Sequence, residues 1–394
     1  MQKGYHIYIY RRYNIKTSQR ANINPFYAIE IFEKGQNYEK IKGKTINLSL
    51  GEPSASLPKK LKQHLIEEIK YKRFGYTQSI GTDELRYKIK EHYKNKYNII
   101  ISTDNIAVTG GASAGIFMSL ISLFDLGSVI ATTQPGYPAY KNIIKAIGLK
   151  PYFIKTKPSE KFQLNIKHIE ELPNYINGLI ISSPSNPCGT TISNKEIKRI
   201  IEICKKKGIK VISDEIYHGI EYLKKNLKTA YSYDSDVVII NSFSKYFLMT
   251  GFRLGWIVGS RGFIEKIRNI SMSFYLSPSS ISQNLASQAF KHYKYFDKII
   301  QGYKTNRDIL SKGLNEIGLN NYIIPTGAFY IYVNISNIHN NSYTFCKKMV
   351  EETGVTVAPG IDFDEENGTS FIRLSYSCKK TELIKAIALL KNWI

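Results

Sequence analysis

Short apolar runs alternate with longer amphipathic segments through the middle of the chain. The runs are rich in β-branched residues, which favour strands, and the segments repeat apolar residues every three or four positions, as helices do. The predicted strands are Ile106–Thr109, Val129–Thr132, Gly178–Ser182, Lys210–Ser213, Val237–Asn241 and Leu254–Val258, and two predicted helices among them are Ser113–Phe124 and Ala139–Ile147. Strands that alternate with helices indicate an α/β fold whose mainly parallel sheet is covered by helices on both faces.

The clearest helix signal is the segment SNKEIKRIIEICKKKG at positions 193–208. Ser193 is placed to cap its amino end, and Glu196, three residues later, completes the sequence of a capping box. Gly208 is predicted to end the helix, because glycine readily adopts the left-handed conformation that follows a last helical turn.

The pattern changes after about residue 290, where the strict alternation of strands and helices stops. Further predicted strands are Ala328–Val333, Val355–Ala358 and Phe371–Tyr376, followed by a closing helix, Thr381–Trp393. These elements indicate a separate, smaller α+β domain, since 394 residues exceed what one small core needs. We expect an N-terminal arm and part of the small domain at 1–45, a large domain at 46–290 and a C-terminal small domain at 291–394.

The charge of the chain raises the question of a nucleic-acid partner. It has 55 Lys and Arg against 32 Asp and Glu, a formal net charge of +23. The cations are spread as single lysines, and the densest run, Lys205–Lys207, lies where a helix is predicted to end and complements the helix dipole. No nucleic-acid-binding motif accompanies the charge, so we expect no nucleic-acid partner.

The cysteines and the apolar runs limit the location of the protein. Four scattered cysteines without a CxxC pair indicate free thiols, no metal site and a cytoplasmic protein. The first twenty residues are basic but contain no apolar core of a secretory signal. The apolar run at 115–124 is too short to cross a bilayer, so no membrane segment is expected.

Polar residues follow several of the predicted strands. Asn186, Asp214 and Lys245 each come at or just after a strand end, and ligands bind at that edge of an open α/β sheet. The glycines Gly110 and Gly111 lie between a strand and a helix start, where backbone N–H groups can bind an anion such as a phosphate. Taken singly, each of these features also has a structural explanation, as a turn, a cap or a solvated lysine.

Together the motifs resemble those of the class I and II aminotransferases, in the fold-type I group that uses pyridoxal 5'-phosphate (PLP). The stretches that carry the resemblance are NLSLGEP, GYTQSIGTDELR, TGGASAG, PGYPAY, SSPSNPCGT, SDEIY, SFSKYFLMTGFRLGW and FIRLSYS. They follow the family's order from residue 47 to residue 377, which is nearly the whole chain. The large domain is accordingly expected to bind PLP.

For catalysis, the resemblance implies that Lys245 forms the imine with the PLP aldehyde and then moves a proton. An amine must be neutral to attack an aldehyde, and a desolvated pocket with a nearby arginine lowers its pKa. Asp214 is implied to pair with the pyridine nitrogen and keep it protonated. Tyr217 and Asn186 are implied to hydrogen-bond the ring's 3'-oxygen.

The PLP phosphate is implied to be bound by side chains and backbone amides of the Gly-rich turn and the lysine motif, namely Arg253, Ser242, Ser244, Gly111 and Ala112. Tyr137 is implied to stack on the pyridine ring, although an aromatic residue there is equally compatible with simple packing. Tyr76 is implied to reach the phosphate of a neighbouring subunit, so the expected assembly is a homodimer with shared active sites.

Arg373 is implied to bind the substrate's α-carboxylate through a bidentate fork, with Asn186 and the Gly51 backbone beside it. Without the family motifs, Arg373 would be interpreted as a partner in a surface ion pair. The chain departs from many relatives at residues 54–56, which read Ser-Ala-Ser after GEP. No second arginine can be assigned to an acidic substrate side chain.

The leading functional hypothesis is a transaminase that moves the amine of an L-amino acid to a 2-oxo acid by a ping-pong cycle. A cysteine-S-conjugate β-lyase is the alternative, because it uses the same lysine, aspartate and carboxylate-binding arginine. A non-enzymatic PLP-binding regulator would suit the basic charge, but such regulators carry a DNA-binding domain, and fewer than 50 residues precede NLSLGEP. The preferred amino donor and the pathway are not indicated by the motifs.

Overall fold

The computed structural model describes residues 16–223 and 227–394, and most of the basic N-terminal segment therefore lies outside the described residues. The strands are β1 (Ile46–Asn47), β2 (Ile106–Thr109), β3 (Val129–Gln134), β4 (Lys150–Lys155), β5 (Ile176–Ser182), β6 (Lys210–Asp214), β7 (Val238–Ser242), β8 (Gly255–Val258), β9 (Tyr330–Asn334), β10 (Val355–Thr356), β11 (Ala358–Pro359) and β12 (Phe371–Ser375). The α-helices are α1 (Tyr27–Lys42), α2 (Lys59–Tyr71), α3 (Asp83–Tyr97), α4 (Ala112–Leu123), α5 (Pro138–Ala146), α6 (Ile166–Glu170), α7 (Asn194–Lys206), α8 (Arg261–Phe274), α9 (Ser280–Ala289), α10 (Tyr293–Glu316), α11 (Ser342–Thr353) and α12 (Lys380–Trp393).

The central sheet has the strand order β2-β8-β7-β6-β5-β3-β4. Neighbouring strands from β4 through β7 are parallel, and β8 is antiparallel to both of its neighbours. The predicted α/β fold with a mainly parallel sheet is confirmed.

Both faces of this sheet are buried, as its composition predicts. Successive residues of a strand point to opposite faces. Along β5, Leu179 and Ile181 pack into one apolar core and Ile180 packs into the other. Along β7, Ile239 packs into the first core and Ile240 into the second. Because both faces are buried, the strands are continuous runs of β-branched residues, and apolar and polar residues do not alternate along them.

The predicted Ser193 cap and the predicted end of the helix at 193–208 are confirmed. The Ser193 Oγ accepts a hydrogen bond from the Glu196 N–H at 3.2 Å, and α7 follows directly. Ile197, Ile200, Ile201 and Cys204 form its buried stripe. Gly208 follows the last turn with a φ of +70°.

The remaining strands form two smaller groups. The strands β11, β12 and β9 make an antiparallel sheet, and β1 pairs in parallel with β10. The expectation of one strand at Val355–Ala358 is wrong, because Val355–Thr356 pairs with β1 whereas Ala358–Pro359 pairs with β12. The chain changes sheet at Val357. Helix α1 packs on α11 beside these strands, and α12 packs on α10.

Domain boundaries at residues 45 and 290 remain a prediction, although β1 joins residues just past the first boundary to the C-terminal part. Among the helices of the described residues, none is long and apolar enough to span a bilayer.

Candidate active site

Polar side chains from three neighbouring strands meet at one edge of the central sheet. The strands β5, β6 and β7 end at Ser182, Asp214 and Ser242, and the turns that follow carry Asn186 and Lys245. A cavity of about 340 Å³ lies at this edge and extends to Arg373 on β12. The predicted site residues in its lining are Gly51, Ala112, Tyr137, Asn186, Asp214, Tyr217, Ser244, Lys245, Arg253 and Arg373. The structure does not bring Gly111, Ser242 or Tyr76 into that lining.

Lys245 lies at the centre of this arrangement. Its Nζ donates a hydrogen bond to the Gly51 carbonyl oxygen at 2.7 Å. Burial lowers the pKa of the Lys245 amine to about 8, and the Arg373 and Arg253 cations act in the same direction while the Glu52 carboxylate opposes them. A substantial fraction of the amine is therefore neutral near neutral pH, which is the form that attacks a carbonyl carbon or accepts a proton.

Asp214 is a buried carboxylate with two internal hydrogen-bond donors. Its Oδ2 accepts from the Tyr140 hydroxyl at 2.5 Å, and its Oδ1 accepts from the Ile216 N–H at 3.1 Å. Burial raises the pKa of Asp214 to about 6, while both hydrogen bonds and the Lys245 charge oppose that shift. Asp214 is thus predominantly ionised at neutral pH and can hold a proton on a ligand atom.

Arg373 is held on several sides. Its guanidinium lies 4.5 Å from the centroid of the Tyr330 ring and 4.8 Å from that of Phe363. Its Nη1 donates to Asn186 Oδ1 at 2.8 Å, and its Nη2 donates to the Ser49 carbonyl oxygen. The buried Nε has no hydrogen-bond partner among the described residues, so a donor remains for an incoming carboxylate.

An anion-binding geometry lies at the start of α4. Gly111 precedes the helix with a φ of +91°, and the first N–H groups of a helix have no partner within it. A Cβ on Gly111 would lie 2.9 Å from Arg253 Nη2, so only glycine leaves the space between the guanidinium and the helix start open. Arg253 is itself oriented by its Nη1, which donates to the Thr250 carbonyl oxygen at 3.0 Å.

Two predicted phosphate ligands are placed differently from the expectation. The Gly111 N–H donates to the Thr109 carbonyl oxygen at 2.8 Å, so its amide already has a partner. The Ser242 Oγ lies behind the cavity wall, 2.8 Å from the Ser244 Oγ and 3.0 Å from the Leu254 carbonyl oxygen. It also accepts from the Ser244 N–H at 2.9 Å, and therefore orders Ser244, which does line the cavity.

The two predicted aromatic ligands occupy different environments. Tyr137 lines the cavity at the start of α5, with its ring centroid 5.4 Å from that of Tyr140 and 6.5 Å from that of Phe26. Tyr76 is 83% exposed and belongs to a separate surface depression with Met272 and Leu276. It makes no contribution to the cavity of its own chain.

The cavity also contains residues that the sequence analysis missed. Tyr140 donates to Asp214, and the Tyr330 hydroxyl lies 2.8 Å from that of Tyr217. Glu52 and Asp362 bring further carboxylates to the lining. A signal existed for Tyr140, which lies one helical turn after Tyr137 in PGYPAY. Tyr330 and Asp362 carry no local signal.

The chain is similar to known aminotransferases over nearly its whole length. The sequence profile of the family described as aminotransferase class I and II matches residues 43–390. The chain is 32% identical over 382 residues to a valine–pyruvate aminotransferase of Mycobacterium tuberculosis, covering 96% of this chain and 98% of that protein. It is 33% identical over 381 residues to a (5-formylfuran-3-yl)methyl phosphate transaminase of Methanocaldococcus jannaschii, covering 95% and 98%. A crystal structure of an aminotransferase from Mycobacterium tuberculosis superposes with a TM-score of 0.93 at 32% identity, covering 96% of this chain and 99% of that one.

Proposed function

The chain belongs to the class I and II aminotransferase family and is a transaminase, and from that premise we propose that it works with PLP bound in the cavity at the sheet edge. The substrates are an L-amino acid and a 2-oxo acid, which exchange the amine in two successive half-reactions. The observation that carries the proposal is a single cavity that joins a Lys245 amine of lowered pKa to the Asp214 carboxylate and to the anion-binding start of α4. The relatives are aminotransferases, which does not favour a β-lyase.

The residues at the start of α4 fit a phosphate. Ala112, Ser244 and Arg253 line the same cavity, and the absent Cβ of Gly111 keeps the space beside the Arg253 guanidinium open. The Ala112 N–H, the Ser244 hydroxyl and the Arg253 guanidinium would bind the phosphate there. Hydrogen bonds to a charged group contribute about 1.5–3 kcal/mol each. Ser242 would contribute to phosphate binding only indirectly, because it orders Ser244.

When bound, PLP supplies an aldehyde for an amine and a ring that takes up the electrons of the substrate's α-carbon. Asp214 would hold the proton on the pyridine nitrogen through its carboxylate, with Tyr140 fixing the carboxylate's orientation. Asn186 and Tyr217 would donate to the 3'-oxygen, and Tyr137 would pack against the ring face.

Lys245 would move the proton at the substrate's α-carbon. Its Nζ is neutral for part of the time near neutral pH, so it can accept that proton and return it elsewhere. Arg373 would bind the α-carboxylate with its unpaired Nε and its Nη groups. The absence of a Cβ at Gly51 accommodates the Tyr330 hydroxyl, and the Gly51 backbone would then lie beside the bound carboxylate. Fixing the carboxylate orients the α-carbon toward the amine.

We also propose a homodimer with shared active sites in the cytoplasm. Tyr76, Met272 and Leu276 expose 83%, 42% and 52% of their surface on one face, and burial against a second copy would remove this apolar area from water. In such a dimer Tyr76 would reach the partner's phosphate site. The four cysteines are free thiols, which fits a reducing compartment.

The test is reduction of the PLP-loaded protein with borohydride, followed by peptide mapping, together with a half-reaction screen of amino acids for 2-oxo acid release. We expect the pyridoxyl adduct at position 245 and stoichiometric oxo acid without added acceptor. Lys245→Ala should lose both the adduct and oxo acid formation, whereas Lys195→Ala, at an exposed position of α7, should retain both. An adduct elsewhere, or full turnover by Lys245→Ala, would refute the assignment.

A further inference from the structure

Helix α1 lacks a capping side chain of its own. Its first residue, Tyr27, follows Phe26, which cannot accept a hydrogen bond through its side chain. A carboxylate from the C-terminal part of the chain takes that place. Asp362 Oδ1 accepts from the Tyr27 N–H, and its Oδ2 accepts from the Ala28 N–H, both at 2.8 Å. Both oxygens of one buried aspartate are thus used to hold the start of a helix more than 330 positions away.

The helix start held in this way is part of the cavity wall. Phe26, Ala28 and Ile29 line the cavity together with Asp362 and Phe363. Ala28 and Phe363 belong to the same small apolar cluster. Because the Phe363 ring lies 4.8 Å from the Arg373 guanidinium, the first turn of α1 adjoins the group that would bind the substrate's α-carboxylate.

A second set of hydrogen bonds connects the segment before α1 to helix α5 and to the loop after Asp362. Asn142 on α5 donates from Nδ2 to the Asn24 carbonyl oxygen at 3.0 Å. Asn24 in turn donates from Nδ2 to the Glu365 carboxylate at 3.3 Å, three residues after Asp362. The residues before α1 therefore bridge α5 and the 360–365 loop, and the wall keeps a defined position.

The charges of the lining indicate which side chain this wall accepts. Among the described lining residues, the cations are Lys245, Arg253 and Arg373, and the proposed function uses all three. Glu52 and Asp362 add negative charge to the same lining. A second carboxylate on the substrate would meet no unused cation of this chain in the described lining, and this chain would not compensate its desolvation.

We propose that Asp362 is a positioning residue that fixes the first turn of α1 as an apolar wall, and that this wall selects amino donors with neutral, apolar side chains. The inference rests on the proposed function, since it concerns the donor in that same cavity. Phe26, Ala28 and Ile29 contact the donor's side chain, and Asp362 acts on the donor through them.

The test compares alanine, leucine and aspartate as donors in the half-reaction of the PLP-loaded protein, with the maximal rate and the half-saturating concentration measured separately. We expect the maximal rate divided by the half-saturating concentration to be at least about tenfold higher for leucine than for aspartate. One methylene group in an apolar pocket changes this ratio by about 10–200-fold. Asp362→Ala should raise the half-saturating concentration for leucine about tenfold, with a maximal rate within about threefold of wild type. The constants for alanine should change less than about threefold, because its methyl group does not reach the wall.

Ile29→Ala provides a second variant if Asp362→Ala does not fold. Ile29 is 46% exposed, so its truncation leaves the core intact. The variant should raise the half-saturating concentration for leucine but not that for alanine. Asp362→Asn, which keeps one acceptor, should lie between Asp362→Ala and wild type. Asp125→Ala, an exposed aspartate in the loop before β3, is the control and should match wild type for every donor.

The outcomes separate the two proposals. No oxo acid from any donor would overturn the proposed function and this inference with it. If transamination occurs but aspartate is as good a donor as leucine, or a better one, only the proposal of an apolar selecting wall would be overturned. Equal losses for alanine and leucine in Asp362→Ala would also overturn it, because they would show a general structural effect and not selection by side chain.

Discussion

The lowered pKa of Lys245 can be measured directly in the cofactor-free protein. Lys245 is buried at a sheet edge, with the Arg373 and Arg253 cations facing it, and these effects together bring its pKa to about 8. The perturbation is a change of pH across that value, with a small aldehyde and a hydride reductant as the labelling reagent. Only the neutral amine reacts, so the labelling rate follows the neutral fraction.

The size of the expected effect follows from the two pKa values. With a pKa of about 8, roughly a quarter of the Lys245 amines are neutral at about pH 7.5, whereas the ordinary value of 10.5 leaves roughly one in a thousand neutral. At equal access to the reagent, Lys245 should therefore react roughly 200-fold faster than it would with the ordinary pKa. Its rate should level off above about pH 9, where an ordinary lysine still accelerates.

The assay is brief labelling between about pH 6 and pH 10, followed by peptide mass spectrometry that compares position 245 with exposed lysines such as Lys195 in the same sample. Preloading with PLP should protect position 245. Arg373→Gln should move the midpoint upward, because it removes a cation that lowers the pKa, and this shift separates electrostatics from reagent access. A rate at position 245 that rises in parallel with the exposed lysines up to about pH 10 would refute the reasoning.

Two further substitutions test the support around the site. Tyr140→Phe removes a hydrogen bond that lowers the Asp214 pKa, so this pKa should rise above its value of about 6 in the cofactor-free protein. In the PLP-loaded protein, the acid limb of the half-reaction rate should therefore move to higher pH, and the rate at neutral pH should fall by up to about tenfold. Stopped-flow profiles without such a shift would contradict this role. Gly51→Ala would place a Cβ 1.8 Å from the Tyr330 hydroxyl oxygen, so we expect a loss of about 1–3 kcal/mol in unfolding free energy together with weaker donor binding. Gly75→Ala is the control in urea unfolding, since a Cβ there meets nothing within 4 Å, and equal stability of the two variants would show that the loop at Gly51 simply moves.

The parts of the site that follow strands could be predicted from the sequence. Asn186, Asp214 and Lys245 lie at the ends of β-branched runs or in the turns that follow them. Parallel strands in such a fold bring their carboxyl ends to one edge. Strand type and order of elements are local properties, so the positions of these residues could be inferred without knowledge of the packing.

Contacts between distant segments could not be predicted in this way. Tyr217 and Tyr330 are 113 positions apart, and Tyr27 and Asp362 are 335 positions apart. In a chain with 29 tyrosines, residue type alone does not distinguish Tyr330 from a core residue. Likewise, nothing local shows that Ser242 faces Ser244 and Leu254 and not the cavity, because that depends on how the turn at 243–245 folds back.

The net charge of +23 acts over a longer range than the charges that line the cavity. Only the charges in the cavity can select a substrate. Exposed lysines dominate the net charge, and salt screens their field beyond about 10 Å at 0.1 M ionic strength. That field raises the rate at which any anion approaches, whether it carries one carboxylate or two. Inside the cavity, Arg253 faces the anion-binding helix start and Arg373 faces the carboxylate site, while Asp362 is engaged by α1. Under the proposed function, a phosphate and one carboxylate would occupy the cations of the described lining. The choice among amino donors would then come from the fit of their side chains against the apolar wall of Phe26, Ala28 and Ile29, which we infer that Asp362 holds in place.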